Sequence, residues 1–287
     1  MSFIKICVLA VIQGLCELLP VSSSAHVVVA EKLMGLDPTS PETTFLLVML
    51  HTGTMFAVIF YFRRVWTRDF FESKQVFTES LKVVAAATAV TGVFGLALKF
   101  LIEKIFLGGM EHAEIELIFG NLALVSASLA VVGVLIIFSG LASRRKEKMA
   151  DAISFKSGIA IGAVQGVCLP FRGFSRSGAT ISTGLLLGVS RLRVESFSFA
   201  LAVVLTPPVV LRELLRLLRA RHSATLDAGA LAGLFYPGLV GMALSFLAGL
   251  VALKWLSSWL EHDRWHLFGV YCLFAAGVVF GLHLHGF

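Results

Sequence analysis

Charged side chains are scarce in this sequence. Asp, Glu, Lys and Arg supply 15% of its 287 residues, whereas a soluble domain contains about 25%. Apolar residues supply 57%, and the mean hydropathy is +0.88. This composition excludes an ordinary soluble domain and predicts a protein that lies in a lipid bilayer.

Cysteine is also rare. The four cysteines stand in apolar stretches without the spacing of metal ligands: Cys7, Cys16, Cys168 and Cys272. This pattern argues against disulfides and zinc, and we expect small buried residues. The formal net charge of +6 comes largely from basic clusters between apolar runs. Such clusters are typical of loops that face an anionic membrane surface, so no nucleic-acid partner is expected.

A cleavable signal peptide is not expected either. Only Lys5 precedes the first apolar stretch, and the polar end of that stretch contains Glu17 and His26 instead of a small-residue cleavage site.

Six segments are long and apolar enough for membrane spans, which need about 20 mostly apolar residues. They are 43–62, 83–102, 115–141, 194–211, 230–256 and 265–284. Two further apolar regions, 3–34 and 157–190, are interrupted near the middle by polar residues. Non-helical backbone at membrane depth persists only where protein or a water-filled cavity surrounds it. Each interrupted region is therefore predicted to form a re-entrant helix pair.

The two interrupted regions are near-repeats of each other. The segment AVIQGLC at 10–16 recurs as GAVQGVC at 162–168, and an alignment without gaps places Ser23 opposite Ser175. Corresponding broken segments in two halves of a chain are typical of membrane proteins whose site lies between inverted repeats. We therefore expect the polar residues of both copies to converge on one site.

Basic residues predict the orientation of the chain. They cluster in 63–82 and 142–156, whereas the segment between the second and third spans is acidic. The positive-inside rule places both basic segments in the cytoplasm. The arginines of 212–221 disagree with this arrangement, and their spacing with leucines predicts an extension of the fourth span along the membrane interface.

The predicted fold is an all-α polytopic membrane protein, one membrane domain over 1–287 with an inverted-topology repeat. Repeat one (1–141) contains the re-entrant pair 3–34 and three transmembrane helices. Repeat two (157–287) contains the re-entrant pair 157–190 and three more. Because three spans are an odd number, the second half is inverted and both termini are expected outside.

Glu17 is a carboxylate in an apolar run, four residues after Gln13. That spacing places both side chains on one helix face, and an ionisable group at membrane depth is a functional hypothesis by default. Carboxylate and amide oxygens suit Mg²⁺ or Ca²⁺, so Glu17 and Gln13 are candidate metal ligands. The alternative is a buried glutamate that an arginine or the backbone satisfies.

A hydroxyl-rich run follows Pro20. It consists of Ser22, Ser23 and Ser24, and His26 comes three residues after Ser23. A serine or histidine here can act as a nucleophile, and a histidine can carry protons. A serine before a helix also serves as an N-cap, and this alternative stays open for each serine.

The polar run of the second copy, at 173–180, combines glycines, hydroxyl side chains and an arginine, a composition typical of a site that binds the oxygens of an anion. Backbone N–H groups at a helix start and a guanidinium bind phosphate oxygens. The alternative is an arginine that merely neutralises Glu17. The Lys of a Walker loop is absent, so nucleotide binding is not predicted. The residues concerned are Gly173, Ser175, Arg176, Ser177, Gly178 and Thr180.

These motifs resemble the two signature motifs of the undecaprenyl-pyrophosphate phosphatase family of the bacitracin-resistance type. The first motif contains Glu17, Pro20, Ser23 and His26, the second is Gly173–Thr180, and the resemblance covers essentially the whole chain. It implies a hydrolase that uses a divalent cation to convert undecaprenyl pyrophosphate to undecaprenyl phosphate and inorganic phosphate. This reaction recycles the lipid carrier of cell-wall synthesis.

The resemblance also implies a location and roles for residues. The protein is expected in the bacterial inner membrane, with its site toward the periplasmic side, among membrane lipids and with a homodimer left open. The implied catalytic residues are Glu17, Ser23, His26 and Arg176. The implied substrate-binding residues are Gln13, Ser22, Gly173, Ser175, Ser177 and Thr180. Arg172 stands where the family usually has proline, so a fixed φ is lost and a charge is gained.

Three alternatives remain open from the sequence. His51, in the middle of the first span, either lines the site or packs between helices beside Gly53. A polyprenyl-phosphate flippase is the rival function, because inverted repeats and discontinuous helices are the architecture of alternating access. A catalytically inactive binding protein is the third interpretation. Loss of Ser23 separates an enzyme from a transporter, which needs no nucleophile.

Overall fold

The computed structural model describes residues 2–37, 40–106, 121–144, 149–222 and 228–286. Over these ranges the chain forms α-helices and one isolated β-bridge, between Ala150 and Val189. The helices are α1 (Phe3–Leu18), α2 (Ser23–Leu33), α3 (Pro41–Phe71), α4 (Lys74–Phe106), α5 (Leu122–Ser143), α6 (Phe155–Cys168), α7 (Arg176–Leu186), α8 (Arg191–His222), α9 (Ala228–Glu261) and α10 (Trp265–Leu284).

Six helices of the described ranges, α3, α4, α5, α8, α9 and α10, are long and apolar enough to cross a membrane. The prediction of an all-helical protein with six apolar spans is therefore confirmed. The first part of the predicted segment 115–141 lies outside the described residues. The helix α8 continues through Pro207 and Pro208 to His222, so residues 212–221 extend the fourth span as predicted. Their position along the interface stays a prediction.

Each interrupted region forms two short helices. The helices α1 and α2 contain 16 and 11 residues, and α6 and α7 contain 14 and 11. None of the four reaches the length of about 20 residues that a membrane span needs. The predicted breaks are thus present, in 19–22 and 169–175.

The helices cluster into two compact units. The first comprises Met1–Leu18, Ser23–Arg63 and Ala202–Trp255. The second comprises Leu19–Ser22, Arg64–Leu201 and Leu256–Phe287. In the first unit, α1, α2 and α3 share a buried apolar core of Ile6, Leu9, Ala10, Val27, Ala30, Leu46 and Leu50.

Two glycines of the first unit bring α1 and α3 against α9. A Cβ on Gly14 would lie 2.7 Å from the carbonyl oxygen of Ser245 and 2.6 Å from Cβ of Ala248. A Cβ on Gly53 would lie 2.2 Å from Ser245 Oγ and 2.3 Å from the carbonyl oxygen of Met242. Both helices therefore approach α9 around Ser245 at distances that only glycine permits.

The second unit contains a matching contact between α6 and α4. A Cβ on Gly166 would lie 2.7 Å from the carbonyl oxygen of Thr91 and 2.7 Å from Cβ of Phe94. The neighbouring Gln165 is buried and donates from Nε2 to Thr91 Oγ1 at 3.2 Å. Gly166 of the second copy thus meets α4 as Gly14 of the first copy meets α9.

Ion pairs join the polar segments of the second unit. Arg193 bonds Asp69, and its Nε lies 3.2 Å from Asp151 Oδ1. Arg191 pairs with Asp263. The hydrogen bond and the charge of Arg193 hold the pKa of the exposed Asp151 below its ordinary value.

Candidate active site

The Glu17 carboxylate is the centre of a polar cluster in the first unit. Ser23 Oγ donates to Glu17 Oε2 at 2.5 Å, and Gln13 Nε2 donates to the same oxygen at 3.2 Å. His51 Nε2 lies 3.8 Å from it. The Glu17 side chain is 20% exposed, whereas Gln13 is 1% exposed. The structure thus brings together three residues that the sequence proposed and adds His51.

Contacts with α9 position this cluster. Glu17 follows Gly14 by one helical turn on α1, and His51 precedes Gly53 by two residues on α3. Since both glycines pack at Ser245, the two side chains are placed toward each other. Ser245 Oγ also donates to the carbonyl of Leu50 at 3.0 Å, which fixes the backbone beside His51.

Backbone hydrogen bonds determine the tautomer of His51. Its Nδ1 lies 2.8 Å from the carbonyl oxygen of Leu47. A carbonyl oxygen only accepts, so Nδ1 carries a proton and Nε2 is the ring nitrogen that faces Glu17. The sequence left His51 undecided. The signal that identifies it is an ionisable group in the middle of an apolar span.

The turn between α1 and α2 contains an unusual backbone conformation. Ser22 is buried and has a φ of 66°, in the left-handed region that non-glycine residues seldom adopt. Next to it, the N–H of Val21 donates to the carbonyl of Leu19 at 2.8 Å. Backbone strain of this kind is concentrated at functional sites.

Helices of the second unit hold this turn. Ser177 Oγ of α7 donates to the carbonyl of Leu19 at 3.4 Å. Cys272 Sγ of α10 donates to the carbonyl of Pro20 at 3.2 Å. The segment that follows the acidic motif is therefore fixed to the helix that begins in the second motif.

The loop of the second motif ends at a capped helix. Ser175 is the N-cap of α7, and its Oγ accepts from the N–H of Gly178 at 3.2 Å. Gly173 has a φ of 95°, and a Cβ there would lie 2.4 Å from the carbonyl oxygen of Val125. Only glycine fits this turn, which presents the half-buried Arg176 at the first position of α7.

Thr180 secures the start of α7 against α8. It is fully buried, and its Oγ1 donates to the carbonyl of Arg176 at 2.8 Å. It also lies 2.6 Å from Ser198 Oγ, a partner that the sequence did not single out. These contacts give Thr180 a role in positioning Arg176.

The remaining predicted residues have simple placements. His26 lies on α2, three residues after Ser23, and is half-buried. Arg172 is half-buried in the loop before α7. Glu17 belongs to the first unit and Arg176 to the second, and their convergence on one site stays a prediction.

The two copies of the repeat carry different chemistry. Leu169, which is 49% exposed, stands opposite Glu17 in the alignment, so the second copy has no carboxylate there. Ser24 stands opposite Arg176, so the first copy has no arginine at that position. The first copy therefore has the carboxylate, and the second copy has the guanidinium, a group that can bind phosphate.

The donor set around Glu17 fits a hard cation that its substrate helps to coordinate. A carboxylate and a serine hydroxyl lie together there, and Gln13 adds an amide whose Nε2 faces the carboxylate and whose oxygen is the atom suited to a cation. Mg²⁺ is usually bound by one or two carboxylates plus substrate phosphates, and not by a cage made of protein ligands alone. Within the described ranges, no cluster of three or more His, Cys, Asp or Glu side chains suited to a metal is found.

Comparison with known proteins assigns the chain to a family. Residues 6–279 match the family described as bacitracin resistance protein BacA. The chain is 58% identical over 283 residues to undecaprenyl-diphosphatase 2 of Acinetobacter baylyi, with 98% of each chain covered. It is 33% identical to the undecaprenyl-diphosphatase of Desulfosudis oleivorans, with 94% of this chain and 95% of that protein covered. The chain therefore belongs to the BacA family, as its two motifs predicted.

Proposed function

We propose that the protein hydrolyses undecaprenyl diphosphate to undecaprenyl phosphate and inorganic phosphate. The observation that carries this proposal is the 2.5 Å hydrogen bond from Ser23 to Glu17, in a chain of the BacA family. The relatives described above are named for this hydrolysis and not for transport, so the flippase is not proposed.

Ser23 and Glu17 carry out the first step. As Ser23 Oγ attacks the terminal phosphorus, its proton passes to Glu17 Oε2, which already accepts that hydrogen bond. The bond between the terminal phosphorus and the bridging oxygen breaks, and undecaprenyl phosphate leaves. Water then attacks the phosphoserine, the bond from phosphorus to Ser23 Oγ breaks as Glu17 returns the proton to Oγ, and inorganic phosphate is released. His26, one turn after Ser23 on α2, transfers protons to the leaving group and from water.

Arg176 and the first turn of α7 hold the terminal phosphoryl group. A guanidinium binds two phosphate oxygens at once, and a helix N-terminus favours an anion. The Ser175 cap and the bonds of Thr180 fix this turn before substrate arrives. The gapless alignment of the two motifs supports their convergence.

Glu17 and Gln13 would hold the divalent cation, Mg²⁺ or Ca²⁺. When bound, the cation would neutralise charge on the diphosphate. Gln13 directs its amide N–H₂ at Glu17, so it also holds the carboxylate in place for Ser23. Positioning and charge neutralisation account for most of the catalysis of phosphoryl transfer in general.

An inverted-topology repeat with two re-entrant pairs is the proposed architecture. The equivalent contacts of Gly14 with α9 and of Gly166 with α4 support it. The composition of the units supports it too, since one contains α1, α2 and most of α9, and the other contains α6, α7 and α4. We propose a bacterial inner membrane, with 63–82 and 142–156 in the cytoplasm because of their basic residues, and with the site toward the periplasm. Labelling of single cysteines in these two segments and at both termini tests the arrangement.

Release of inorganic phosphate from undecaprenyl diphosphate by purified protein tests the function. We expect release with Mg²⁺ or Ca²⁺, no release with a chelator, and recovery when the cation is restored. Ser23→Ala should lose hydrolysis and keep lipid affinity within a few-fold of the parent. If the protein moved polyprenyl phosphate across vesicle membranes and hydrolysed nothing, the proposed hydrolase would be wrong and the flippase would be the better interpretation.

Cross-linking tests the convergence of the two motifs. In a variant without the four native free thiols, Glu17→Cys and Arg176→Cys should be joined by a short bifunctional thiol reagent. One phosphate group spans two partners through hydrogen bonds of about 3 Å each. A separation beyond about 15 Å would therefore exclude a shared phosphate.

A further inference from the structure

His51 is arranged as metal-binding histidines are arranged. Its Nδ1–H is directed at the carbonyl of Leu47, 2.8 Å away, which leaves Nε2 as the ring atom with a free choice of partner. Metal-ligating histidines almost always donate their other ring N–H to a carbonyl, a carboxylate or water, which fixes tautomer and orientation. The backbone of α3 supplies this support to His51.

The ring faces a carboxylate oxygen. His51 Nε2 lies 3.8 Å from Glu17 Oε2, which is too long for a direct hydrogen bond. A ring with its proton on Nδ1 would present the lone pair of Nε2 to the carboxylate, and a positive charge that the ring and the Glu17 carboxylate both contact would stabilise that geometry. A divalent cation is such a charge, and the cluster is where the proposed function needs one.

The surrounding helix is rigid enough to preserve this orientation. Thr54 Oγ1 donates to the carbonyl of His51 at 2.9 Å, and Thr52 Oγ1 donates to the carbonyl of Val48 at 2.8 Å. Gly53 locks the same turn against α9. A ligand held by packing and by backbone hydrogen bonds meets the requirement for a preorganised site.

We propose that His51 Nε2 is a ligand of the divalent cation at Glu17. The inference rests on the proposed function, which supplies the cation. A nitrogen ligand changes which metals the site prefers, because first-row transition ions accept nitrogen ligands, Mn²⁺ most weakly of them, whereas Ca²⁺ takes oxygen ligands. The site should therefore bind Mn²⁺ more tightly than a site made of oxygen ligands alone would. Loss of His51 should weaken the binding of Mn²⁺ far more than the binding of Ca²⁺.

Electron spin-echo modulation of Mn²⁺ bound to the purified full-length protein tests this directly, without substrate. The parent should show modulation from ¹⁴N, and protein labelled with ¹⁵N-histidine should show the ¹⁵N pattern in its place. His51→Gln should abolish the modulation and raise the Kd for Mn²⁺ by at least about tenfold, with the Kd for Ca²⁺ changed less than about threefold. If the parent protein shows no modulation from a histidine nitrogen, the proposal is wrong, and this result does not depend on whether any variant folds.

Two further variants separate the alternatives. His262 Nδ1 lies 2.7 Å from the carbonyl of Ser258, four residues earlier, as His51 Nδ1 lies near that of Leu47. His262→Gln should keep the modulation and both affinities. If His26→Gln abolished the modulation and His51→Gln kept it, the ligand would be His26 and the proposal would be wrong. If the parent hydrolyses the lipid but shows no modulation from histidine, the proposed function stands and the assignment of His51 is wrong. If the parent shows the modulation but does not hydrolyse the lipid, only the proposed function is wrong.

Discussion

Gly53→Ala should disable the enzyme without removing it from the membrane. The added Cβ would lie 2.3 Å from the carbonyl oxygen of Met242, whereas an ordinary contact begins at 3.4 Å. Because that oxygen belongs to the backbone of α9, it cannot rotate away as a side chain does. The helices α3 and α9 must therefore separate locally by about 1 Å. Overpacking of this kind costs about 1–3 kcal/mol of stability.

The displacement should act on the site through His51, two residues before Gly53. A misplacement of about 1 Å can cost about 100-fold in rate, so we expect kcat for phosphate release to fall by about that factor. Phosphate release from undecaprenyl diphosphate in detergent micelles, over a range of lipid concentrations, separates kcat from KM. Yield in the membrane fraction and thermal unfolding measure the stability.

Gly92→Ala in α4 is the matched control. A Cβ on Gly92 would meet nothing within 4 Å, and alanine favours a helix over glycine by about 1 kcal/mol. This variant should keep the kcat of the parent and unfold at the same or a higher temperature. If Gly53→Ala also kept the parent kcat, the contact with α9 would not position the cluster and the reasoning would fail.

Ser23, Arg176 and Asp151 each give a further prediction. Ser23→Ala should lower the rate of phosphate release by several powers of ten if Ser23 is the nucleophile, whereas a loss of only about 10²- to 10³-fold would mean that Ser23 positions the attacking water. Arg176→Lys should lose at least about tenfold in kcat/KM, because an ammonium lacks the bidentate fork, and a lysine variant with parent kinetics would exclude bidentate binding. Because Arg193 depresses the pKa of Asp151, the ion pair stabilises the fold above the unfolded pKa of about 3.9 and loses this effect as the pH falls through the folded pKa. Asp151→Asn should therefore reduce the fall in unfolding temperature on acidification from pH 5 to pH 3, and an unchanged fall would contradict this assignment.

Local patterns made much of the fold and of the acidic cluster predictable. The six spans follow from apolar length, and the breaks after α1 and α6 follow from the polar runs. Gln13 and Glu17 share a face because they are four residues apart on one helix. Ser23 reaches the same carboxylate across a short turn, so the serine run next to Glu17 already indicated the cluster.

Residues that depend on distant packing were less predictable. His51 approaches Glu17 because α1 and α3 both pack on α9 around Ser245, which lies 231 positions after Gly14 and 192 positions after Gly53 in the chain. Ser175 and Thr180 illustrate a second difficulty. A hydroxyl that caps a helix or bonds a neighbouring helix has the same sequence signature as one that binds phosphate, and only the structure separates these roles.

The role of Glu17 in hydrolysis is decided by phosphate release from undecaprenyl diphosphate, measured for the parent and for Glu17→Gln at saturating lipid and cation. We expect steady release by the parent and a loss of at least about 10³-fold in Glu17→Gln, because the amide neither accepts the Ser23 proton nor carries the charge that a cation needs. Lipid binding by the variant should stay measurable. Hydrolysis by Glu17→Gln at the parent rate would contradict the account.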